Sequence, residues 1–271
     1  MRNKYTYTLL IALATILFYY VNEYLDKKNE HYPSSESVFE NTLNEFDDTF
    51  FPSTTTNQII SHNFYTLSYA EKHEQAEWVA YELKKNQVVK GNFKRPYFVE
   101  DRKVKTHSAD WRNYKKSGYD KGHLCPAGDR NFDYNAFHET FLTSNISPQD
   151  HEFNRGIWNN LEKQVRYWAK KYDGVFVITA GVLKGNLKAI GTENVSVPTY
   201  YYKIIVDTSG NEIKALAFLI PNQASNKSFY KYVVTIDEIE LATGIDFFPK
   251  LEDSIENKIE SEINLKAWGK H

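Results

Sequence analysis

One amphipathic segment in the middle of the chain, flanked by strand-like sequence, constrains the fold most. Its apolar residues recur at i, i+4, i+8 and i+11, which is the spacing of one face of an α-helix, at Ile157, Leu161, Val165 and Trp168. Ser147-Pro148 is a favourable start for a helix, and Gly174 follows the last turn as a favourable stop. We therefore predict one long helix within Ser147–Gly174.

Runs rich in β-branched and aromatic residues lie on both sides of this segment. The runs that predict strands are His62–Tyr69, Glu77–Val89, Gly174–Leu183, Thr199–Asp207 and Ile213–Asn222. A further run, Tyr232–Gly244, predicts a strand that leads into a short helix. Because strands precede and follow one long helix and do not alternate with helices, we predict an α+β fold with a mixed, mainly antiparallel sheet and flanking helices.

The N-terminus carries an uncharged apolar run, residues 5–21, after Arg2 and Lys4. This run is near the minimum length for a membrane span, and no small-residue cleavage motif follows it closely. We predict that residues 1–22 are a signal anchor or a cleaved signal peptide, with a buried core helix as the remaining alternative. The leading basic residues favour an outward-facing, membrane-anchored protein, periplasmic or extracellular, or a secreted one after cleavage.

The rest of the chain divides by composition. Residues 23–58 are polar and rich in Ser and Thr, which predicts a linker, and residues 59–271 have globular texture with an acidic C-terminal tail. Cys125 is the chain's one cysteine, which excludes an intrachain disulfide and a cysteine-clustered zinc site. The sequence predicts no oligomeric state.

Charge is unevenly distributed although the net charge is only −2. The segment Lys84–Arg130 holds 13 Lys and Arg against five Asp and Glu, whereas Asp237–Glu262 holds nine acids against two bases. The basic segment could form an anion-binding face, and the alternative is that both segments are simply solvated surfaces.

The basic segment ends in "YDKGHLCPAGDR", Tyr119–Arg130, whose chemistry depends on residues further along. A neutral histidine such as His123 can take a proton from water, and a hard cation such as Mg²⁺ can be held by a single amide oxygen plus waters. Asn154 near the start of the predicted helix could supply that oxygen, and Glu162 could reach metal-bound water. These parts suit a metal-dependent phosphodiesterase.

Three linked motifs, "YDKGHLCPAGD", "SNISPQ" and "NRGIWNNLE", resemble the DNA/RNA non-specific endonucleases, which carry a ββα-metal (His-Me) finger. The resemblance extends to "WVAYEL" upstream and "TGIDFFP" downstream, so it covers roughly residues 59–251. It implies an endonuclease that cleaves DNA and RNA with little sequence preference and leaves 5′-phosphate ends. Smaller phosphodiester or phosphomonoester substrates are one alternative, and a weakened nucleic-acid-binding module is another.

The resemblance also implies roles at matching positions. His123 would be the general base, and Asn154 would be the ligand of Mg²⁺, with Mn²⁺ or another divalent cation as alternatives. Glu162 would bind metal-bound water, and Asn145 would position active-site groups.

Three basic residues would contact phosphate. Arg166 and Arg95 match arginines of the family, whereas Lys121 stands where the family usually has Arg. Lysine is a point charge without the bidentate fork of a guanidinium, so weaker stabilisation of the transition state is expected at this position. A solvated lysine beside the hairpin is the alternative for Lys121.

Several neighbouring groups are less favoured as site residues. Cys125 lies two positions after His123, but we do not expect a thiol mechanism. Asp120 and Asp129 are alternative metal ligands, and His151 is expected at the surface.

Overall fold

A computed structural model describes residues 14–21 and 48–270 of the 271-residue chain. The chain divides into two units, Met1–Leu43 and Asn44–His271. In the first unit, residues 14–21 form helix α1, with exposed side chains. The other residues of the predicted N-terminal segment, and most of the predicted linker, lie outside the described residues. Within the described part of the chain, no helix is long and apolar enough to cross a membrane.

The second unit contains eleven strands and five α-helices among its described residues. The strands are β1 (Ile59–Ser61), β2 (Thr66–Ala70), β3 (Gln75–Lys84), β4 (Asp120–His123), β5 (Ile146–Gln149), β6 (Gly174–Gly181), β7 (Lys188–Ile190), β8 (Val195–Val197), β9 (Tyr200–Asp207), β10 (Lys214–Pro221) and β11 (Val233–Val234). The helices are α2 (Tyr134–Glu139), α3 (His151–Phe153), α4 (Asn159–Lys171), α5 (Ile236–Thr243) and α6 (Asp253–Ser261).

Seven strands form one sheet in the order β1-β2-β3-β6-β9-β10-β11, and every neighbouring pair is antiparallel. The two further pairs, β4–β5 and β7–β8, are also antiparallel. The predicted α+β fold with a mainly antiparallel sheet is thus confirmed. Strands β6 and β9 are buried along nearly their whole length, which explains why they read as continuous apolar runs and not as alternating ones.

The two faces of the sheet are covered by different helices. Helix α4 packs against β3 and β6, and the ring of Trp168 stacks on Phe218 of β10 at 6.3 Å. Helices α5 and α6 also pack against β10, and Phe247 between them contacts Tyr202 of β9 at 5.7 Å. Because successive side chains of a strand point to opposite faces, Lys203 points toward the α4 side and Tyr202 toward the α5–α6 side.

The predicted start of the long helix is wrong. Ser147 and Pro148 belong to β5, where they pair with Gly122 and Lys121 of β4. The helical segment begins at α3, where the side chain of Asp150 caps it by accepting hydrogen bonds from the Glu152 and Phe153 amides, each at 3.0 Å.

The rest of that helical segment contains a wide turn. Residues Asn154–Trp158 are π-helical and lead directly into α4. The predicted apolar face is buried as expected, with every member at most 3% exposed, at Ile157, Leu161, Val165 and Trp168. The π-turn changes the angular register between Asn154 and Glu162 from that of a continuous α-helix.

Residues upstream of position 59 belong to the folded unit. Trp78 donates its indole N–H to the Ser53 carbonyl at 2.8 Å, and Phe51 packs on the Trp78 ring at 6.0 Å. The buried carboxylate of Glu77 accepts hydrogen bonds from Thr54 at 3.0 Å and from the Thr55 amide at 2.9 Å. The sheet is therefore covered at this end by residues of the segment that was predicted to be a linker.

Candidate active site

The imidazole of His123 lies at the end of β4, between two aromatic rings. Its centroid is 5.4 Å from that of Phe98 and 4.9 Å from that of Phe141, with an edge-on geometry at Phe141. The Nε2 atom is buried and has no hydrogen-bond partner among the described residues. Burial, with a smaller contribution from the positive charge of Arg95, lowers the pKa of His123 to about 3. The imidazole is therefore neutral at physiological pH.

Two predicted phosphate-binding cations lie around the same rings. The guanidinium carbon of Arg95 is 5.4 Å from the centroid of Phe141, and the ammonium of Lys121 is 5.5 Å from that of Phe98. Lys121 and His123 are two residues apart on β4, so their side chains share one face of the strand. The structure thus brings His123, Lys121 and Arg95 together.

Asn145 holds the chain immediately after His123. Its side-chain oxygen accepts the Cys125 amide N–H at 2.8 Å, and its amide nitrogen donates to the carbonyls of Cys125 at 3.0 Å and Thr140 at 2.9 Å. Burial raises the pKa of the Cys125 thiol to about 12, so the thiol stays protonated and is no nucleophile. Asn145 is a buried clamp for the loop that follows the histidine.

Asp120, at the start of β4, connects the hairpin to the helical segment. Its carboxylate accepts a hydrogen bond from the Asn154 amide nitrogen at 3.0 Å, and the Nδ1 atom of His151 lies 3.1 Å from it. Burial alone would raise the pKa of Asp120, but the hydrogen bonds from Asn154 and His151 hold it below its ordinary value. With its nitrogen used in this way, the Asn154 amide has its oxygen available for a ligand.

Glu162 lies one helical turn before Arg166 on α4, in a cluster of charged groups. Arg166 donates to the buried carboxylate of Asp129 at 2.6 Å, and Asp129 also accepts a hydrogen bond from Tyr81 at 2.9 Å. Burial raises the pKa of Glu162 to about 7, and the cation Lys203 opposes that rise more than any other charge. Asp129 is consequently an ion-pair partner of Arg166.

Lys203 is a residue of this site that the sequence analysis did not single out. It is fully buried on β9, its Nζ atom has no hydrogen-bond partner among the described residues, and it lies 4.8 Å from the centroid of the Trp158 ring. Burial lowers its pKa, while Glu162 and Asp129 favour its charged form. The available indication was a lone lysine inside the run "TYYYKIIVD", where the strand pattern otherwise calls for aromatic and β-branched residues.

The predicted site residues thus form three groups. One surrounds His123, the second joins Asn154 to Asp120, and the third contains Glu162. Among residues 48–270, no hydrogen bond or ion pair joins His123 to Asn154 or to Glu162. Strand β4 carries both His123 and Asp120, and the helical segment from Asn154 into α4 leads to Glu162. The hydrogen bond between Asp120 and Asn154 joins the strand to the helical segment, and so positions the three groups relative to one another.

Three curated proteins illustrate the similarity of this chain to known nucleases. Zebrafish (Danio rerio) nuclease EXOG, mitochondrial, is 34% identical over 209 residues, which cover 70% of this chain and 61% of that protein. Human endonuclease G, mitochondrial, is 30% identical over 72% of this chain and 70% of its own length. A nuclease from Nostoc sp. is 32% identical over 78% of this chain and 80% of its own. The chain therefore spans less than two thirds of the zebrafish protein.

A solved structure has the same fold. The crystal structure of an EndoG/EndoGI complex, described as the mechanism of EndoG inhibition, superimposes with a TM-score of 0.71 and 29% sequence identity. The alignment covers 77% of this chain and 91% of the matched chain.

These relatives correct the predicted location. We expected an exported protein, secreted or anchored in a membrane through residues 5–21 and facing outward. The zebrafish and human relatives are named as mitochondrial nucleases, which contradicts this expectation. The prediction of export and of outward membrane anchoring is therefore wrong.

Family membership follows from a match that covers most of the folded unit. The family model described as DNA/RNA non-specific endonuclease matches residues 42–254. All three motifs on which the resemblance was based lie inside this range, as do the three groups of site residues. The chain belongs to the DNA/RNA non-specific endonuclease family.

Proposed function

We propose that this chain is a metal-dependent endonuclease that hydrolyses phosphodiester bonds of DNA and RNA, with His123 as general base. The observation that carries the proposal is the buried, partnerless Nε2 atom of an imidazole kept neutral by burial and by Arg95. A neutral imidazole nitrogen without a protein partner is free to accept a proton from a substrate water.

The donors of the site suit a hard divalent cation, Mg²⁺ in the first place. Asn154 offers an amide oxygen while its nitrogen is held by Asp120, and Glu162 is a carboxyl group whose pKa is raised by burial to about 7. Oxygen donors of this kind and few in number are those that Mg²⁺ uses together with waters. Asn154 would hold the cation directly and Glu162 through water; when bound, the cation would neutralise charge on the phosphate and on the leaving oxygen.

The chemistry assigned to the chain's own residues is proton transfer and charge stabilisation. His123 Nε2 takes a proton from water, the water oxygen forms a bond to phosphorus, and the bond from phosphorus to the 3′-oxygen breaks, with its electron pair left on the 3′-oxygen, which gains a proton from solvent. Lys121, Arg95 and Arg166 share the negative charge of the phosphate, and Asn145 keeps the loop after His123 in place. The product then carries a 5′-phosphate.

Broad substrate use follows from what these residues would contact. Cations placed around a phosphate bind the backbone, which all nucleic acids share, and read no base edges. We therefore propose cleavage of both DNA and RNA without sequence preference.

The test is digestion of plasmid DNA and of RNA by the full chain in Mg²⁺. We expect EDTA to abolish cleavage, and His123→Ala and Asn154→Ala each to lower the rate by about 100-fold or more. His138→Ala is the matched control, since His138 lies on α2 and stacks on Tyr134 at 3.9 Å, and it should cleave at the wild-type rate. Undiminished cleavage by His123→Ala, or in EDTA, would show that the proposed chemistry is wrong.

A further inference from the structure

Helices α5 and α6 assemble a second group of acidic side chains, apart from the nuclease site. Helix α5 contributes two of them, the loop after it contributes one and α6 contributes two: Asp237, Glu240, Asp246, Glu256 and Glu260. These helices cover the face of the sheet marked by Tyr202 and Phe247, whereas Glu162 and Lys203 belong to the opposite face. Glu256 and Glu260 also lie beyond the residues matched by the family model.

The carboxylates are close enough to share one ion. Oxygens of Asp237, Glu240 and Glu260 all lie within 4.8 Å of one another, and the same is true of Asp246, Glu256 and Glu260. Glu260 belongs to both triads and is therefore the centre of the group. The other four side chains are partly buried or exposed, so an ion can reach the group from solvent.

Glu260 itself points to a ligand that is not part of the protein. The residue is only 7% exposed, and its Oε1 atom is buried with no hydrogen-bond partner among the described residues. Within residues 48–270, none of the five carboxylates forms an ion pair with a Lys, Arg or His side chain. A buried carboxylate oxygen without a donor costs free energy unless something positive reaches it.

The placement of the acids adds to that cost. Asp237 and Glu240 are three residues apart on α5, and Glu256 and Glu260 are four apart on α6, so each helix carries a like-charge pair on one face. A bound cation would remove the repulsion and provide Oε1 with a partner.

We propose that the α5–α6 acidic group is a binding site for a hard divalent cation, Ca²⁺ in preference to Mg²⁺, seated on Glu260. Carboxylate oxygens are the ligands that both ions prefer. Side chains that come from two helices and a loop and differ in exposure suit the six to eight flexible ligands of Ca²⁺ better than the strict octahedron of Mg²⁺.

The surrounding structure holds the loop between α5 and α6 in place. The Glu240 carboxylate accepts the Phe247 amide N–H at 2.7 Å, which holds the loop against the end of α5. Phe247, Phe248 and Ile259, which are close in sequence to Asp246 and Glu260, are buried at 0%, 0% and 6% exposure. The cation would therefore join α6 to α5 across a packed hydrophobic base, and its effect would be on stability.

The experiment uses the full chain carrying Asn154→Ala, which removes the proposed catalytic ligand, and measures Ca²⁺ binding by calorimetry and the Tm with and without Ca²⁺. We expect Ca²⁺ to bind and to raise the Tm, and Mg²⁺ at the same concentration to raise it less. Adding Glu260→Gln should weaken Ca²⁺ binding by at least about tenfold, since ligand-shell substitutions commonly cost that much. Glu262→Gln, an equal loss of charge next to the site, should leave binding unchanged.

Two results would overturn the proposal. One is a Tm in the Asn154→Ala chain that does not respond to Ca²⁺, and the other is an equal response in the Glu260→Gln chain. Should Glu260→Gln fail to fold, the double variant Asp237→Asn/Asp246→Asn at exposed positions decides, and a Ca²⁺ response equal to the parent's counts against the site. Nuclease assays of Glu260→Gln in Mg²⁺ keep the two proposals separate, because activity should be unchanged whichever way Ca²⁺ behaves.

Discussion

At the scale of single residues, the buried Lys203 affects the charge state of Glu162 more than any other charged residue does. Its ammonium group lies on an aromatic ring and has no hydrogen-bond acceptor in the part of the chain that the structure describes, which is costly unless nearby negative charge compensates. Glu162 and Asp129 supply that charge, and Lys203 in return favours the ionised form of Glu162. Lys203 is thus a positioning residue that acts through Glu162.

This coupling predicts a change in pH dependence. The pKa of Glu162 is about 7, so the ionised form, and with it the nuclease rate, should increase as pH rises through that range. Lys203→Met removes the cation that opposes the burial effect, so the pKa of Glu162 should rise further and the acidic limb of the pH–rate profile should move to higher pH. The measurement is kcat/KM against pH at constant Mg²⁺.

Lys163→Met is the matched control for this prediction. Lys163 is exposed and lowers the pKa of Glu162 less than Lys203 and Arg166 do. Removal of Lys163 should therefore move the pH–rate profile less than removal of Lys203. Identical profiles for wild type and Lys203→Met would contradict the assigned role.

At the scale of elements, the β4–β5 hairpin positions His123 because tertiary contacts override the local helix signal of Ser147-Pro148. Ser147 donates to the side-chain oxygen of Gln75 on β3 at 2.5 Å, and Tyr201 of β9 donates to the Pro148 carbonyl at 2.8 Å. These contacts hold β5 in an extended conformation. The start of the helix is thereby moved to Asp150.

The close approach of the two strands of the hairpin predicts a strong effect of Gly122→Ala. A Cβ atom at Gly122 would overlap the Gln149 side chain, which is fully buried. Overpacking of this kind costs about 1–3 kcal/mol, so the free energy of unfolding should fall by that amount and nuclease activity should fall with it. Chemical denaturation followed by tryptophan fluorescence would measure it.

Two further variants make this prediction specific. Gly210→Ala, in a turn where a Cβ would meet only ordinary contacts, should change stability by about 0.5 kcal/mol or less. Gln149→Ala in the Gly122→Ala background should recover part of the loss, because the two positions are in contact. A Gly122→Ala chain as stable as Gly210→Ala would show that the hairpin adjusts without cost.

At the scale of the whole molecule, the charge asymmetry of the sequence corresponds to the two sites that we propose. The basic segment Lys84–Arg130 contains Arg95 and Lys121, which lie around His123, whereas the acidic segment Asp237–Glu262 builds the α5–α6 group on the opposite face of the sheet. The alternative that both segments are simply solvated surfaces does not account for the buried Oε1 atom of Glu260, which has no hydrogen-bond partner among residues 48–270.

Salt dependence tests the basic side at this scale. Binding through phosphate contacts releases counterions, so nuclease activity should fall steeply as salt rises. Arg95→Ala should lower the slope of log(kcat/KM) against log[salt] by about 1, as expected for the loss of one phosphate contact. Lys250 lies in the loop between α5 and α6 and forms an ion pair with Asp48. Lys250→Ala removes a cation outside the nuclease site and should leave the slope unchanged. Equal slopes for wild type and Arg95→Ala would exclude that contact.

The sequence by itself determined the features that depend on local periodicity and on the order of motifs. The apolar face of α4 follows from 3.6-residue spacing, and the strand runs follow from their side-chain composition. The linked motifs indicated the family because chemical identity is carried in the linear order of residues, and the assignment of His123, Asn154 and Glu162 to the site stays a prediction from that resemblance.

Only the tertiary structure decided the features that depend on long-range pairing. Ser147 is in a strand because β3 and β9 satisfy its polar groups, and Lys203 is buried where Trp158 of the π-helical segment covers its ammonium group. Glu260 meets acids from another helix because α5 and α6 pack side by side. No local sequence pattern encodes such long-range contacts, because they depend on which surfaces pack together in the folded chain.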